Sequence, residues 1–331
     1  MNPESELLLR SRGRLTNPAE TLWINPTADG FWQPFEASQA LTFHHGEAAL
    51  LADHLTVSTE PVPRPARHVV LYLPKSKARL TLMVELAAAG LAAGGKLWLV
   101  GAKKAGAPSA GKQLNARFGS VQKLDAARHC MLFEASDALA GPGFDIDHHW
   151  QSFDGPDLKL ASLPGVFSHG RLDDASAMLI ESLPSQMPGT CLDFGCGCGV
   201  LSAVAARRGA TVTAIDSDEL AVRSTRRTLA ENGLQGSVLG ATQLPRPDEP
   251  LQWVISNPPF HQGLNTDLNA THQMLNDAAA SLSRDGELWL VANRFLDYPK
   301  RLAALFDVVD EPAGDRSFRV LRARRPKSHP R

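Results

Sequence analysis

The sequence predicts two tandem Rossmann-like α/β domains, each built on a doubly wound, mainly parallel sheet. The chain has 331 residues, enough for two cores at about 150 residues per domain. In the second half, short apolar strands alternate with amphipathic helices, which is the pattern of a parallel sheet. The segment GKLWLVG at 95–101 is nearly repeated as GELWLVA at 286–292, which indicates that the two domains are related.

The elements of the second domain follow from the residue pattern. Helices are predicted over 172–183, 200–208, 218–232 and 268–282, and strands over 190–194, 210–215, 253–256 and 287–291. Glycine and proline interrupt the pattern at 140–143 (AGPG) and 154–156 (DGP), which is typical of a boundary. We therefore assign 1–145 to the first domain and 146–331 to the second.

The first domain repeats the order strand, proline turn, alanine-rich helix and strand. Its early strand at 21–24 is not followed by a glycine-rich turn. Such a turn is what brings the backbone close to a ligand. We therefore expect the first domain to be a degenerate copy that keeps the scaffold without the ligand site.

The composition restricts the class of protein. A net charge of −1 excludes a generally basic polymer binder, and four cysteines are too few for a disulfide framework. No apolar stretch approaches the roughly 18 residues of a membrane-spanning helix, and the acidic start MNPESE lacks the pattern of a secretory signal. We expect a cytoplasmic protein that does not associate with membranes.

Basic residues concentrate in two regions. The region 75–128 holds ten basic residues and two acidic ones, a net charge of +8, and the last sixteen residues hold seven bases and no acid. Such clusters favour a polyanionic partner, although a solvated face and a frayed tail are the ordinary alternative. The candidate phosphate-binding residues are Lys75, Lys77, Lys103 and Lys104.

The segment LDFGCGCGVLS at 192–202 lies at a predicted strand-to-helix junction. Its glycines follow the spacing G-x-G-x-G: Gly195, Gly197 and Gly199. The carboxylate of Asp193 beside them suits a cationic ligand, and S-adenosylmethionine carries an ammonium and a sulfonium. Asp216, at the end of the next strand, is placed to accept hydrogen bonds from ribose hydroxyls. A purely structural glycine turn is the alternative.

A second motif, Asn257-Pro258-Pro259-Phe260, follows the predicted strand at 253–256. Its prolines stiffen the backbone, so the Asn257 amide and the neighbouring carbonyl can act as fixed acceptors. The ring of Phe260 can stack on a flat base. Two acceptors beside an aromatic ring suit an exocyclic amine, and we therefore predict all four residues as catalytic. An ordinary proline turn is the alternative.

The cysteines and histidines do not form a metal-binding pattern. Cys196 and Cys198 form a C-x-C pair without a matching distal pair of ligands. Small residues that fill a tight loop explain them better. We expect no metal.

The glycine loop and the NPPF turn resemble motifs I and IV of class I S-adenosylmethionine-dependent methyltransferases that act on exocyclic amines. More closely, the chain resembles the bacterial ribosomal RNA small subunit methyltransferase C family. The resemblance also rests on LPGVFS at 163–168, LD at 172–173, LAENGL at 229–234 and SNPPFH at 256–261, and, in the first half, on ELLLR at 6–10, LPKSK at 73–77 and KLDAARHC at 123–130.

This resemblance implies methyl transfer from S-adenosylmethionine to the N2 of a guanine, guanine 1207, in 16S rRNA. It also implies a degenerate first domain that binds no cofactor and serves RNA binding and stability. We expect a monomer that acts within the 30S subunit. Methyltransferases commonly place Asp or Asn after the third strand to meet adenine. Thr242 is the best match here, and a backbone contact is the alternative.

Other functions share part of this pattern. A guanine-N2 methyltransferase of 23S rRNA has the NPPF turn and the two-domain plan, and is the nearest alternative. DNA-adenine and protein-glutamine methyltransferases share the amine chemistry. A non-catalytic RNA-binding assembly factor belongs to another class, and the intact Asp193 and Asn257 argue against it.

Overall fold

A computed structural model describes residues 1–14, 17–32, 35, 37–141, 143–244, 246–258 and 265–327, with the backbone alone for 265–270. The chain forms two compact units that divide between Trp150 and Gln151. That division lies five residues after the boundary expected at 145. The turn at 146–149 stays with the first unit because His149 pairs with Glu85 at 3.1 Å (Nε2 to Oε2) and stacks on Phe144.

The first unit contains a seven-stranded mixed sheet. Its elements are α1 (Pro3–Ser11), β1 (Thr21–Ile24), β2 (Gln39–Leu41), α2 (His45–Leu51), β3 (Thr56–Ser58), β4 (Ala66–Tyr72), α3 (Lys77–Gly90), β5 (Leu91–Ala102), α4 (Ala107–Gln113), β6 (Phe118–Ala127) and β7 (Cys130–Ala138). The strand order is β3-β2-β1-β4-β5-β7-β6. The first five strands in that order are parallel, and β7 runs antiparallel to both of its neighbours.

The second unit contains a sheet of the same plan and a separate hairpin. Its elements are β8 (Gln151–Gly155), β9 (Leu158–Ser162), α5 (Asp174–Ser182), β10 (Gly189–Phe194), α6 (Val200–Arg207), β11 (Ala210–Asp216), α7 (Glu219–Glu231), β12 (Ser237–Gly240), β13 (Leu251–Ser256), α8 (Asn265–Ser281), β14 (Leu282–Asn293), α9 (Tyr298–Leu305), β15 (Phe306–Gly314) and β16 (Phe318–Pro326). The sheet is ordered β12-β11-β10-β13-β14-β16-β15, and β8 and β9 form the hairpin. The predicted fold class is confirmed, and so are the predicted helices and strands of this half, with ends shifted by a few residues.

The two sheets can be aligned residue by residue because their registers agree. In the first sheet, Trp23 of β1 pairs through β4 with Trp98 of β5. In the second, Asp193 of β10 pairs through β13 with Trp289 of β14. Trp98 and Trp289 hold the same place in the repeated heptamer of the sequence. Trp23 is therefore the counterpart of Asp193.

An ion pair occurs at the same place in both sheets with its charges exchanged. In the first sheet, Lys96 of β5 contacts Glu134 of β7 at 3.0 Å (Nζ to Oε1). In the second, Glu287 of β14 accepts a hydrogen bond from Nε of Arg322 of β16 at 2.9 Å. Both pairs join the last parallel strand to its antiparallel neighbour. The agreement in register and contacts supports a common plan for the two units.

Candidate functional site

The candidate site lies at the carboxyl edge of the second sheet, where β10 turns into α6. Three glycines there have positive φ, namely Gly195 (74°), Gly197 (56°) and Gly199 (84°). A Cβ at Gly199 would lie 2.8 Å from the Cα of Thr225 on α7, so no other residue fits. A Cβ at Gly195 would meet no described atom within 4 Å. Among the described residues, the loop is therefore closed toward α7 and open on its other side, where a ligand can approach the backbone.

Asp193 is fully buried beneath this loop. Its Oδ2 accepts a hydrogen bond from Ser202 Oγ of α6 at 2.5 Å, whereas its Oδ1 has no hydrogen-bond partner among the described residues. Burial raises the pKa of this carboxyl to about 7, and the Ser202 hydrogen bonds oppose that shift. A buried carboxylate oxygen without a donor is costly. The site therefore favours a ligand that brings a cation or a donor to Asp193.

Asp216 ends β11 beside the same loop. The backbone N–H of Gly197 donates to its Oδ2, and that of Asp218 to its Oδ1, both at 2.9 Å. The N–H of Ala241 donates to the Asp216 carbonyl at 2.9 Å, which places the turn after β12 against Asp216. Thr242 follows in that turn with an exposed side chain. Asp216 and Thr242, the residues predicted to bind ribose and adenine, therefore lie at the ends of neighbouring strands.

Asn257 directly follows β13, the strand next to β10. Ser256 Oγ donates to the Phe194 carbonyl at 2.8 Å and so ties the two strand ends together. The Nδ2 of Asn257 donates to Ser176 Oγ at 2.9 Å and lies 3.5 Å from each carboxylate oxygen of Asp173. The Oδ1 of Asn257 is buried without a hydrogen-bond partner in the described part of the chain. A second buried acceptor thus lies near the loop.

Of the other three predicted catalytic residues, the structure describes only one. Pro258 is described and buried. Pro259 and Phe260 lie outside the described residues. The stacking role of Phe260 therefore stays a prediction.

Three residues of this site received no role from the sequence. They are Asp173, Ser176 and Ser202. Asp173 caps α5, because its Oδ1 accepts from the backbone N–H groups of Ala175 and Ser176 at 3.1 and 3.2 Å. A cap of this kind has a sequence signal. The contact between Asp173 and Asn257 spans 84 residues, however, and no local pattern reveals it.

The matching edge of the first sheet is filled by aromatic rings. Trp23, the counterpart of Asp193, is fully buried. Its ring contacts those of Phe31, Trp32 and Phe35 at centroid distances of 5.5, 5.0 and 5.0 Å. Between β1 and β2 the described residues form no α-helix corresponding to α6. The described part of the first unit thus has rings where the second unit has a carboxylate and an open loop.

The four candidate phosphate-binding lysines lie at the carboxyl edge of the first sheet. Lys75 and Lys77 follow the end of β4, and Lys103 and Lys104 follow the end of β5. All four are exposed. None has an acidic partner among the described residues. Their positive charges are therefore available to an external anion.

The basic region near the carboxyl terminus differs from this. Arg322 and Arg324 of β16 pair with Glu287 and Asp310 of the neighbouring strands, the latter at 2.6 Å (Nη2 to Oδ2). Arg322 also lies over the Trp289 ring. These arginines therefore bridge neighbouring strands of the sheet, which the charge count alone did not indicate.

The cysteine side chains are buried, which disfavours the reactive thiolate form. All four cysteines are free and buried, and burial raises the pKa of the Cys198 thiol to about 11.

No cluster of three His, Cys, Asp or Glu side chains suited to a metal ion occurs within the described ranges. In those ranges no helix has both the length and the apolar character needed to cross a bilayer.

Comparisons with known proteins find matches over nearly the whole length of the chain, in both units. A family model described as methyltransferase small domain matches residues 157–322, and the model for its N-terminal domain matches 5–153. The ribosomal RNA small subunit methyltransferase C of Pseudomonas aeruginosa (strain UCBPP-PA14) is 40% identical, over 98% of this chain and 100% of that protein. The one of Stutzerimonas stutzeri (strain A1501) is 39% identical, over 98% and 99%. The solved structure of the T. thermophilus 16S rRNA N2 guanine-1207 methyltransferase, in complex with AdoMet and guanosine, is 25% identical with a TM-score of 0.85, covering 98% of this chain and 92% of that one.

Proposed function

Because the chain belongs to the ribosomal RNA small subunit methyltransferase C family, we propose that it methylates the exocyclic N2 of guanine 1207 in 16S rRNA. The methyl donor is S-adenosylmethionine. We further propose that the protein acts as a cytoplasmic monomer and that its substrate is the RNA within the 30S subunit.

The observation that carries this proposal is a pair of buried oxygens at one edge of the second sheet. Asp193 Oδ1 and Asn257 Oδ1 both have no hydrogen-bond partner among the described residues. Asp193 pairs with Ile255, two residues before Asn257, across the parallel strands β10 and β13. Buried polar atoms are rarely left unsatisfied in native proteins. A cation at the first oxygen and an amine at the second would satisfy both.

The residues around the glycine loop fit S-adenosylmethionine. Asp193 offers a buried negative charge to the positively charged end of the molecule, and Asp216 offers carboxylate oxygens to ribose hydroxyls. The open side of the loop at Gly195 leaves room for close approach. When bound, the cofactor supplies a methyl group already activated on a sulfonium. The task left to the protein is alignment.

Asn257 and Pro258 would align and polarise the attacking amine. Guanine N2 is a weak nucleophile because its lone pair is delocalised into the ring. Acceptance of its two hydrogens by Asn257 Oδ1 and the Pro258 carbonyl favours a pyramidal, electron-rich nitrogen as the N–C bond forms. The proton released from N2 passes to water, so no strong base is required. The target base must leave its stack to reach these groups, and Phe260 would receive its flat face.

The first unit would contribute affinity for RNA. The exposed cluster of Lys75, Lys77, Lys103 and Lys104 is suited to phosphate groups, which provide most of the sequence-independent binding energy for RNA. Because its own carboxyl edge is filled by rings, the first unit is proposed to bind RNA and support stability without binding cofactor.

Labelled methyl transfer to four substrates tests this proposal. Purified 16S RNA, 23S RNA, 30S subunits and 50S subunits are compared side by side, with Asn257→Ala as the control for contaminating activity. We expect the label in 16S rRNA of 30S subunits, on N2 of guanine 1207. Label mainly in 23S rRNA would support the nearest alternative. RNA binding with no transfer to any substrate would support an assembly factor.

A further inference from the structure

The side-chain amide of Asn257 is held in one orientation by two residues of the segment that begins α5. Its Nδ2 donates to Ser176 Oγ at 2.9 Å, and both carboxylate oxygens of Asp173 lie 3.5 Å from the same nitrogen. A serine hydroxyl can donate or accept, so Ser176 fits either amide orientation. A carboxylate only accepts. Asp173 therefore favours the orientation in which the nitrogen faces it and the oxygen faces away.

We propose that Asp173 and Ser176 are positioning residues: Ser176 fixes the place of the Asn257 amide, and Asp173 selects the orientation that keeps Asn257 Oδ1 available as the acceptor for the amine. This inference rests on the proposed function, because the amine is the group that the oxygen would meet. A reversed amide would present its N–H₂ group to the N–H₂ group of the base, and two donors cannot hydrogen-bond to each other. The orientation of one amide would then decide whether the bound base can react.

The Asp173 carboxylate is itself fixed in place. Its Oδ1 accepts from the N–H groups of Ala175 and Ser176 at the start of α5, and its Oδ2 accepts from Ser168 Oγ at 3.2 Å. Hydrogen bonds to a charged group are stronger than those between neutral groups. The helix cap thus places a full negative charge at a defined position beside Asn257.

The first unit repeats the contact without the charge. Asn2 caps α1 by accepting from the N–H of Ser5, and Ser5 Oγ hydrogen-bonds to Tyr72 Oη at 2.9 Å. Tyr72 lies two residues beyond Val70, the partner of Trp98, and is thus the counterpart of Asn257. The contact between helix start and strand end is therefore part of the common plan. Only the second unit adds a carboxylate and an amide that needs orienting.

Asp173 has two roles, because it caps α5 and orients the Asn257 amide. The variant Asp173→Asn separates them. An asparagine caps a helix about as well as an aspartate, so the fold is retained, but its own amide accepts either orientation of Asn257. We expect the single-turnover rate at saturating cofactor and RNA to fall roughly 10- to 100-fold. Cofactor affinity, measured by calorimetry, should change by less than about threefold. That change in binding free energy is no larger than the contribution of one weak neutral hydrogen bond. The matched control is Asp145→Asn, which makes the same change at a capping aspartate of the first unit and should leave the rate unchanged.

A second pair of variants tests the serine contact. Ser176→Ala and Ser5→Ala remove the equivalent hydroxyl from each unit, and both should lower thermal stability by similar amounts. Only Ser176→Ala should slow methyl transfer. An equal loss of rate in both variants, or in neither, would assign the contact to structure alone and overturn the proposal.

The NMR signals of the Asn257 side-chain N–H₂ group provide a readout that is independent of activity. They are assigned by their disappearance in Asn257→Ala. We expect Asp173→Asn to shift this pair of signals and Asp145→Asn to leave them in place. Unchanged signals in Asp173→Asn, or a loss that appears wholly as weaker cofactor binding, would show that Asp173 does not orient the amide. If the wild-type protein transfers no methyl group to any RNA, the proposed function fails, and the signals still test the orientation.

Discussion

The carboxyl edges of the two sheets differ in chemistry although their strands agree in order and register. At the second edge, Asp193 and Asn257 each present a buried oxygen without a partner among the described residues. At the first edge, their counterparts are Trp23 and Tyr72. The Trp23 ring packs against other rings, although its Nε1 also has no partner among the described residues, and the Tyr72 hydroxyl is bonded to Ser5. One backbone plan thus carries a buried carboxylate and amide at one edge and packed rings at the other. The difference lies in the residues at the strand ends.

The first edge carries an exposed basic surface. Four exposed lysines follow the ends of β4 and β5, the strands that match β13 and β14. We therefore expect the first unit to contribute phosphate contacts to RNA rather than chemistry.

The largest expected effect is on the stability of the closed edge. Trp23→Ala removes a fully buried indole and leaves a cavity, and should lower the free energy of unfolding by about 3–5 kcal/mol. Denaturant titration of the full chain measures this loss. Phe295→Ala, at a ring that is 57% exposed, is the matched control and should change stability by less than about 0.5 kcal/mol. A small loss at Trp23 would mean that the rings do not form a core.

The next largest effect is on the rate at the open edge. Asn257→Ala removes the proposed acceptor and should slow single-turnover methylation about 100- to 1,000-fold, with cofactor affinity nearly unchanged. Tyr72→Phe, which removes the hydroxyl at the matching position of the first unit, should leave the rate unaffected. A rate within a few-fold of wild type for Asn257→Ala would mean that this residue only shapes the turn.

Cofactor binding should depend on pH through Asp193. Burial raises the pKa of this carboxyl to about 7, and only its ionised form balances the positive charge of the cofactor. Affinity should therefore rise about eightfold between pH 6 and pH 7.5. Stability of the free protein should move the other way, because a raised pKa in the folded state favours folding at low pH and that gain is lost as pH rises toward 7. Asp193→Asn, measured by calorimetry at both pH values, should remove the dependence of affinity on pH. If the dependence remains, another group is responsible.

The smallest effect is expected at the lysines of the first edge. Lys103→Glu should flatten the slope of log RNA affinity against log salt concentration by about 0.7 to 0.9 for each phosphate that the variant no longer binds. Lys112→Glu is the control, because Lys112 is also exposed but lies in the last turn of α4 and does not directly follow a strand of the sheet. Equal slopes for the two variants would argue against a phosphate-binding edge.

Much of the fold and part of the site follow from sequence, because their signals are local. Alternating strands and helices, the glycine spacing and the repeated heptamer are each contained in short windows. The correspondence of Trp23 with Asp193 is not contained in any short window, because it depends on the register of three strands. The support of Asn257 by Asp173 joins residues 84 positions apart. The arginines of β16 count as a second basic region in the sequence, and only the structure shows that they pair with acidic side chains on adjacent strands.

The claim that only one of the two edges is open is tested most directly by the stoichiometry of S-adenosylmethionine binding to the full chain. Calorimetry on the wild-type protein should give one site per chain. Asp193→Ala, which removes the buried carboxylate of the second unit, should abolish or strongly weaken that single site while the protein remains folded. Two sites per chain, or one site that Asp193→Ala leaves at wild-type affinity, would contradict the account.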